Sequence, residues 1–198
     1  MIKYLLKCDI SNIKFNEKYR VKSARHPNHD YSSNGVYFIT ICTLNKNKFF
    51  GKIIDNKMEL SNMGIIVNQC LIDISKHFSN VTLEEYVVMP NHVHILFRVE
   101  TPYMASLQDN QKVTLINYSH RNHPDYYSRL NQKSKQLIPK IIQQFKSAVT
   151  HQINPQTIFF GWQSRFFDEI VKDEKHYWTI KNYIKNNPKN WEKDDCFI

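Results

Sequence analysis

The chain has 198 residues, a length that suits a single domain and allows a substantial hydrophobic core. Its formal net charge of +9 favours an anionic partner, with nucleic acid the leading candidate and a basic soluble protein the alternative. No apolar run reaches membrane-spanning length, the N-terminus lacks a secretory signal, and the four cysteines are scattered, so we expect no membrane contact and a cytoplasmic protein with reduced thiols.

The N-terminal half of the chain predicts several strands and one helix. Val36–Leu44 combines β-branched and aromatic residues, a composition typical of strands. Ser61 offers an N-cap for a helix over Met63–Phe78, which carries an apolar stripe at helical spacing. Pro90-Asn91 marks a turn between two apolar runs. The remaining predicted strands of this half are Lys52–Ile54, Lys57–Leu60, Val81–Met89 and His92–Val99.

The C-terminal half begins with a polar segment and then predicts two helices. Residues 101–136 are rich in Asn, Gln, Ser, Tyr and His with little periodicity, which favours a long insert or a hinge. Pro139 suits the first turn of a helix that runs to about Asn154. A last helix is predicted over about Asp173–Asn187, because Pro188 cannot continue it. Short strands are predicted between these helices, at Phe159–Trp162 and Phe166–Val171.

This order of elements predicts the fold class. Neighbouring strands with few intervening helices favour an α+β protein built on an antiparallel sheet. We predict a ferredoxin-like arrangement with helices on one side of the sheet and His92–Val99 as a central strand. Residues 1–24 are predicted to form an N-terminal extension, and residues 25–198 a single domain interrupted by the segment 101–136.

Two histidines lie two residues apart within the apolar run Val87–Phe97. Successive residues of a strand point to opposite faces, so His92 and His94 should face the same side. Two imidazoles held side by side on a strand form a pair of metal ligands. The spacing by itself also allows the ordinary alternative, in which a histidine is simply exposed or hydrogen-bonded.

A tyrosine and an asparagine lie on one face of the last predicted helix. Tyr183 and Asn187 are four residues apart, about 6 Å along the helix axis. A tyrosine hydroxyl can attack a phosphodiester, and an amide oxygen is a suitable ligand beside two imidazoles. From the spacing alone, the same residues could belong to an apolar core stripe, and Tyr126 and Tyr127 are rival nucleophiles on composition.

Longer motifs resemble one family. The string Met89-Pro90-Asn91-His92-Val93-His94 resembles the HUH motif (histidine, hydrophobic residue, histidine) of REP-associated tyrosine transposases and their insertion-sequence relatives. Tyr183–Pro188 resembles the Tyr-Ile-x-x-Asn-Pro element near the C-terminus of these transposases. Further similar segments, over roughly residues 25–197, are Tyr31-Ser32, Tyr37–Thr40, Phe50-Gly51, Phe145–Ser147, Gly161–Gln163, Phe167–Ile170 and a tail with Trp191, Asp195 and Phe197.

The resemblance implies a HUH endonuclease fold and a metal-dependent activity on single-stranded DNA. It assigns the nucleophile to Tyr183 and three metal ligands to His92, His94 and Asn187, with Mg²⁺ or Mn²⁺ as the cation. Such transposases recognise stem-loop DNA, cut beside it through a 5′-phosphotyrosine, and rejoin strands. They act as monomers or as homodimers that exchange the tyrosine helix.

Basic residues near these motifs are candidates for contacts with DNA phosphates. Lys181 and Lys185 flank Tyr183 on the last helix, and Lys146 and Arg165 lie in or near other matching segments. Two other function classes stay open. One is a DNA-binding protein that keeps the fold without the chemistry. The other is an unrelated metal hydrolase that uses the histidines with a carboxylate, for which the candidates are Glu84, Glu85 and Asp168.

Overall fold

The computed structural model describes residues 34–100, 137–154 and 160–197. The predicted N-terminal extension over 1–24 and the polar insert over 101–136 lie outside these residues, as does Phe159 at the start of a predicted strand. Within the described part, the chain is a mixed α+β protein with an antiparallel sheet, which confirms the predicted class.

Strands and helices in the described part lie close to their predicted positions. The strands are β1 (Gly35–Cys42), β2 (Gly51–Ile54), β3 (Lys57–Leu60), β4 (Val81–Met89), β5 (His92–Val99) and β6 (Phe167–Ile170). The α-helices are α1 (Asn62–His77), α2 (Leu137–Ile153) and α3 (Glu174–Asn186). Short 3₁₀ helices follow β1 and α3, at Leu44–Lys46 and Pro188–Lys193.

Four strands form the main sheet in the order β4-β5-β1-β6, and each neighbouring pair is antiparallel. Together with α1 and α2, these strands follow the βαββαβ order of ferredoxin-like folds, as predicted. β2 and β3 form a separate hairpin, whose turn residues Asp55 and Asn56 have positive φ angles, as a tight two-residue turn requires. The paired strands β1 and β5 therefore occupy the centre of the main sheet.

One face of the sheet, called here the apolar face, packs against α1 and α2. Tyr37, Ile39 and Ile41 of β1 point to this face, as do Val93 and Ile95 of β5. Each such side chain stabilises the fold by about 1.5–3 kcal/mol when it is fully removed from water. The helices contribute Val67, Leu71, Ile74, Ile138, Ile141, Ile142, Phe145, Val149 and Ile153 to the same core.

The opposite face, called here the site face, is covered by α3. Val36 and Phe38 of β1 and Leu96 of β5 pack there against Ile180 and Ile184 of α3. The predicted placement of helices on one side therefore holds for α1 and α2, whereas α3 lies on the other side. The physical reason is that the central strands carry apolar residues on both faces, so each face needs a cover that excludes water.

Side chains at the N-termini explain where two helices begin. The Ser61 hydroxyl accepts a hydrogen bond from the Gly64 backbone N–H at 3.1 Å, which caps α1 as predicted. The Asp173 carboxylate accepts one from the His176 backbone N–H at 2.8 Å and caps α3. Because the backbone donors of the first turn have no partners within the helix, these caps fix both starting points.

The segment before β6 differs from its prediction. The structure places no strand at residues 160–162, where Trp162 forms only a single bridge with Thr43. The indole ring packs instead against Phe50, Phe145 and Phe160, so it belongs to the core beneath the apolar face.

Two expectations from composition can be examined in the described residues. Cys42, Cys70 and Cys196 are buried, the Sγ atoms of Cys42 and Cys196 lie 3.5 Å apart, and the reduced state of the cysteines stays a prediction. The described helices include none with the length and apolar character that crossing a bilayer requires.

Candidate active site

The two histidines of β5 face each other on the site face. His92 and His94 are both fully buried, and their Nε2 atoms lie 2.9 Å apart. The two residues occupy alternate positions of β5, so their side chains emerge on the same face of the sheet. Cys42 and Thr40 of β1 stand opposite them. The predicted orientation of both rings to one side is therefore what the structure shows.

Neighbouring side chains hold both rings from their outer edges. His94 Nδ1 lies 2.8 Å from the Thr40 hydroxyl, and His92 Nδ1 lies 2.9 Å from Asn91 Oδ1. Phe38 stacks on His94 with ring centroids 5.3 Å apart, and Trp191 stacks on His92 at 5.8 Å. With each Nδ1 bonded at the periphery, both Nε2 atoms point to a common centre.

A carboxylate that sequence analysis missed completes this group. Asp194 follows the 3₁₀ turn after α3, and its Oδ1 and Oδ2 lie 3.9 Å from His92 Nε2 and 3.6 Å from His94 Nε2. The Cys196 backbone N–H also donates to Oδ1 at 2.7 Å. Potential ligand atoms of His92, His94 and Asp194 lie within 4.8 Å of one another, close enough to hold one metal ion.

No sequence signal identified Asp194. The resemblance included the neighbouring Asp195, which is exposed and whose backbone carbonyl accepts a hydrogen bond from Lys46. The segment has neither helical nor strand periodicity, so its inward-facing residue cannot be read from a pattern. In the described part of the chain, Asp194 is the carboxylate beside the imidazoles, rather than Glu84, Glu85 or Asp168.

Tyr183 reaches the same centre from α3. Its hydroxyl lies 3.3 Å from His94 Nε2 and donates a hydrogen bond to Asp194 Oδ2 at 2.8 Å. Its ring packs edge-on against Phe38, so the phenol spans the apolar and polar parts of the site face. The juxtaposition occurs within a single chain and needs no exchanged helix.

Asn187 also lies in this cluster, one turn beyond Tyr183. It is nearly fully buried, and its Nδ2 donates to Asp194 Oδ2 at 2.8 Å. Its Oδ1 is buried and has no hydrogen-bond partner among the described residues. Burial of an amide oxygen without a hydrogen-bond partner costs free energy. This oxygen is therefore a further potential metal ligand in the same cluster.

Burial and neighbouring charges bias the protonation states of the cluster. Burial, with the nearby charge of His94, places the pKa of His92 well below its ordinary value. Burial, reinforced by the charge and hydrogen bond of Asp194, raises the pKa of Tyr183 strongly. Burial alone would raise the pKa of Asp194, but its contacts with His94, His92 and Asn187 lower it. The resting site therefore combines a protonated phenol with an ionised carboxylate.

Two of the four predicted DNA contacts, Lys146 and Arg165, are joined by a hydrogen bond. Lys146 Nζ donates to the backbone carbonyls of Gln163 and Arg165, at 2.8 and 3.1 Å. Burial lowers the pKa of Lys146 to about 8. Its ammonium group therefore holds the segment before β6 in place, and Arg165 lies half-buried in that segment.

The other two predicted DNA contacts lie on α3. Lys181 Nζ donates to the Tyr177 hydroxyl at 3.1 Å, and Tyr177 donates to Glu84 on β4. Lys185 is exposed, with Nζ 3.4 Å from a carboxylate oxygen of Glu85. These contacts tie α3 to the edge strand β4 and leave Lys185 accessible from solvent.

Comparison with known proteins gives one close relative in sequence and one informative neighbour in structure. An uncharacterized protein from Haemophilus influenzae strain Rd is 35% identical over 181 residues, which cover 89% of this chain and 93% of the relative. The chain belongs to the same family as this Haemophilus protein. No protein-family model matches the sequence.

The structural neighbour is a REP-associated tyrosine transposase whose structure is described as bound to a REP hairpin. The two share 14% sequence identity with a TM-score of 0.51, and the match covers 84% of this chain and 74% of the transposase. At this level of identity the comparison shows a common fold. The described part of this chain therefore shares the fold of that transposase.

Proposed function

We propose that this chain is a metal-dependent endonuclease and strand-transferase for single-stranded DNA, with Tyr183 as its nucleophile. The observation that carries the proposal is the Tyr183 hydroxyl, 3.3 Å from His94 Nε2 and bonded to Asp194 beside a second buried imidazole. The shared fold with a transposase described as bound to a REP hairpin supports stem-loop DNA as the substrate class. The net charge of +9 suits the same polyanion.

The donor atoms fit a divalent cation of the Mg²⁺ or Mn²⁺ type. His92 and His94 supply two convergent nitrogens, and the buried Asn187 Oδ1 supplies an oxygen with no other partner among the described residues. Both oxygens of Asp194 already accept hydrogen bonds. We therefore assign the ligands to His92, His94 and Asn187. Such a cation, when bound, polarises a phosphate and offsets negative charge on the phenol oxygen.

Asp194 is placed to take the proton of the nucleophile. The Tyr183 oxygen attacks phosphorus and forms a phosphorus–oxygen bond, while the bond from phosphorus to the 3′ oxygen breaks. The phenolic proton passes along the existing 2.8 Å hydrogen bond to Asp194 Oδ2. The departing 3′ oxygen takes a proton from solvent, which leaves a free 3′-hydroxyl and a 5′-phosphotyrosine. Attack by another 3′-hydroxyl reverses these steps and joins two strands.

Covalent attachment of DNA to the protein tests this proposal. We expect the wild-type chain with Mn²⁺ and a stem-loop oligonucleotide to give a protein–DNA adduct on a denaturing gel, and Tyr183→Phe to give none. Tyr177→Phe is the matched control, because that tyrosine lies on the same helix but donates to Glu84. Circular dichroism spectra establish that both variants fold.

The other outcomes of this experiment either contradict the assignment of the nucleophile or support a different function. An adduct that persists in Tyr183→Phe contradicts the assignment of the nucleophile. Cleavage without any adduct points to the metal hydrolase, and binding without cleavage in Mn²⁺ points to the catalytically silent DNA-binding protein.

A further inference from the structure

The side chain of Asn91 is held in one orientation by two separate segments. It is fully buried in the turn between β4 and β5. Its Nδ2 donates to the backbone carbonyl of Lys46 at 3.1 Å and to that of Cys196 at 2.8 Å. Carbonyl oxygens only accept hydrogen bonds, so these two contacts identify which end of the amide carries the N–H groups. A flipped amide would place its oxygen against two carbonyl oxygens.

This orientation leaves the amide oxygen of Asn91 facing the neighbouring imidazole. Asn91 Oδ1 lies 2.9 Å from His92 Nδ1. An amide oxygen cannot donate, so His92 Nδ1 must carry the proton in this hydrogen bond. In a neutral imidazole the other nitrogen then has a bare lone pair. That nitrogen, His92 Nε2, is the one that lies 2.9 Å from His94 Nε2 and 3.9 Å from Asp194 Oδ1.

We propose that Asn91 is a positioning residue that fixes His92 in the tautomer with its lone pair on Nε2, the atom that faces the centre of the site. The inference rests on the proposed function only in that a cation would use this lone pair. Metal-binding histidines are commonly oriented through their second ring nitrogen, and the loss of that partner weakens metal binding.

His94 is held by a hydroxyl group, whereas His92 is held by an amide oxygen. Thr40 contacts His94 Nδ1 with a hydroxyl, which can either donate or accept. With a bare Nε2 on His92, the 2.9 Å contact between the rings requires a proton on His94 Nε2, and Thr40 then donates to Nδ1. A cation would require the opposite tautomer of His94, which rotation of the Thr40 hydroxyl allows. The structure therefore assigns one fixed ring and one adaptable ring.

The orientation of the amide also depends on the chain segments that supply its two acceptors. One acceptor belongs to the 3₁₀ turn after β1, and the other lies two residues after Asp194. The tautomer of His92 is therefore set when both segments are in place. The Asn91 amide therefore connects the C-terminal segment, through Cys196, to the imidazole of His92.

Nitrogen-resolved NMR spectra of the full chain test the proposal without DNA or activity. In protein labelled with ¹⁵N at histidine, near pH 8, where an ordinary histidine is neutral, we expect His92 to carry its proton on Nδ1. The same tautomer should persist after addition of Zn²⁺, which imidazoles bind readily and which is diamagnetic. A proton on His92 Nε2 in the wild-type protein without metal would overturn the inference.

Two variants separate positioning of the ring from support of the backbone. Asn91→Leu removes every hydrogen bond, whereas Asn91→Asp keeps an acceptor toward His92 and loses the N–H groups that hold Lys46 and Cys196. We expect both variants to lower the free energy of unfolding, because both lose the hydrogen bonds to Lys46 and Cys196. Asn91→Leu should also weaken Zn²⁺ binding, followed on the His92 resonances, by about 10–100-fold, whereas Asn91→Asp, which keeps an acceptor toward His92, should bind within a few-fold of wild type. Equal weakening in both variants would show a purely structural role.

The outcomes are distinguishable from failure of the proposed function. Should the predicted tautomer and the Zn²⁺ result hold while no DNA adduct forms, Asn91 positions a metal ligand in a protein with other chemistry. Should adducts form while His92 carries its proton on Nε2, the proposed function stands and the role of Asn91 is wrong.

Discussion

The two faces of the main sheet use the same strands for different purposes. On the apolar face, β1 and β5 present only apolar or aromatic side chains to α1 and α2. On the site face, one end of this antiparallel pair carries Val36, Phe38 and Leu96, and the other end carries Thr40, His92 and His94. One sheet can therefore be stabilised through one face while its other face accommodates a cluster of buried polar groups.

Hydrogen bonds offset most of the cost of burying polar groups on the site face. A buried polar group without a partner costs about 1–3 kcal/mol. Among the described residues of this cluster, Asn187 Oδ1 is left without one. Asn91, Thr40 and Asp194 supply partners to the imidazoles and the phenol. α3 joins the two parts of this face, because Ile180 and Ile184 fix the helix on apolar residues while Tyr183 reaches the polar end.

The largest effect is expected from the site face. His94→Ala removes one of the two convergent nitrogens and the contact to Tyr183, so formation of the DNA adduct should fall by roughly 10³-fold or more, since a bound cation is worth several kcal/mol to such a reaction. Adduct assays in Mn²⁺ measure this loss. An adduct yield close to that of wild type would show that the site face is not the reactive one.

Ile95, the residue after His94, belongs to the apolar face and should affect stability rather than chemistry. Ile95→Ala empties part of the fully buried apolar face and should lower the free energy of unfolding by about 2–5 kcal/mol. Urea denaturation measures this change. The folded fraction should keep its affinity for the cation, because Ile95 points away from His94. A parallel loss of cation binding would mean that the two faces are not independent.

Acid should destabilise the site face when no metal is present. The pKa of His92 is lowered in the folded chain, so the unfolded chain takes up its proton first. Stability is therefore full above the unfolded pKa of about 6.5 and falls below it, by up to about 1.4 kcal/mol per pH unit. Asp194, whose pKa is also lowered, adds a further loss below about pH 4.

Urea denaturation in EDTA at several pH values measures this dependence. His92→Gln should flatten the curve between about pH 6.5 and 5. Curves of equal slope in wild type and His92→Gln would contradict a neutral buried His92.

The smallest effect concerns DNA affinity on the helix that covers the site face. If Lys185 contacts a phosphate, Lys185→Ala should reduce the salt dependence of single-stranded DNA binding by about 0.7 in the logarithmic slope. Fluorescence anisotropy across a salt series measures the slope. Lys76→Ala is the matched control, because that exposed lysine lies on α1, on the apolar side. Equal slopes for both variants would remove Lys185 from the interface.

Sequence periodicity was sufficient for most of the fold. β4 and β5 have their predicted bounds, and the two-residue alternation of β5 placed both histidines on one side. These features depend on local patterns, which neighbouring residues determine. The prediction that the helices lie on one side of the sheet was wrong for α3, because the side on which a helix packs depends on which sheet face is left uncovered.

The site was less predictable because its polar contacts join distant parts of the chain. Asp194 meets His94 across 100 positions of sequence, in a segment with no periodicity, and no local rule connects them. Lys146 was predicted as a DNA contact from its charge, yet its ammonium group binds backbone carbonyls. The assignments of Tyr183 and Asn187 came from a motif and stay predictions until chemistry is measured.

Peptide mapping of the covalent adduct shows whether Tyr183 is the residue that is bonded to DNA. Trypsin separates the two tyrosines of α3, since Tyr177 lies within residues 176–181 and Tyr183 within residues 182–185. After nuclease digestion of an adduct made with Mn²⁺ and stem-loop DNA, we predict that mass spectrometry finds the nucleotide phosphate on the peptide 182–185. A nucleotide on any other peptide, with 182–185 unmodified, would contradict the assignment of the site face as the place where DNA is cut.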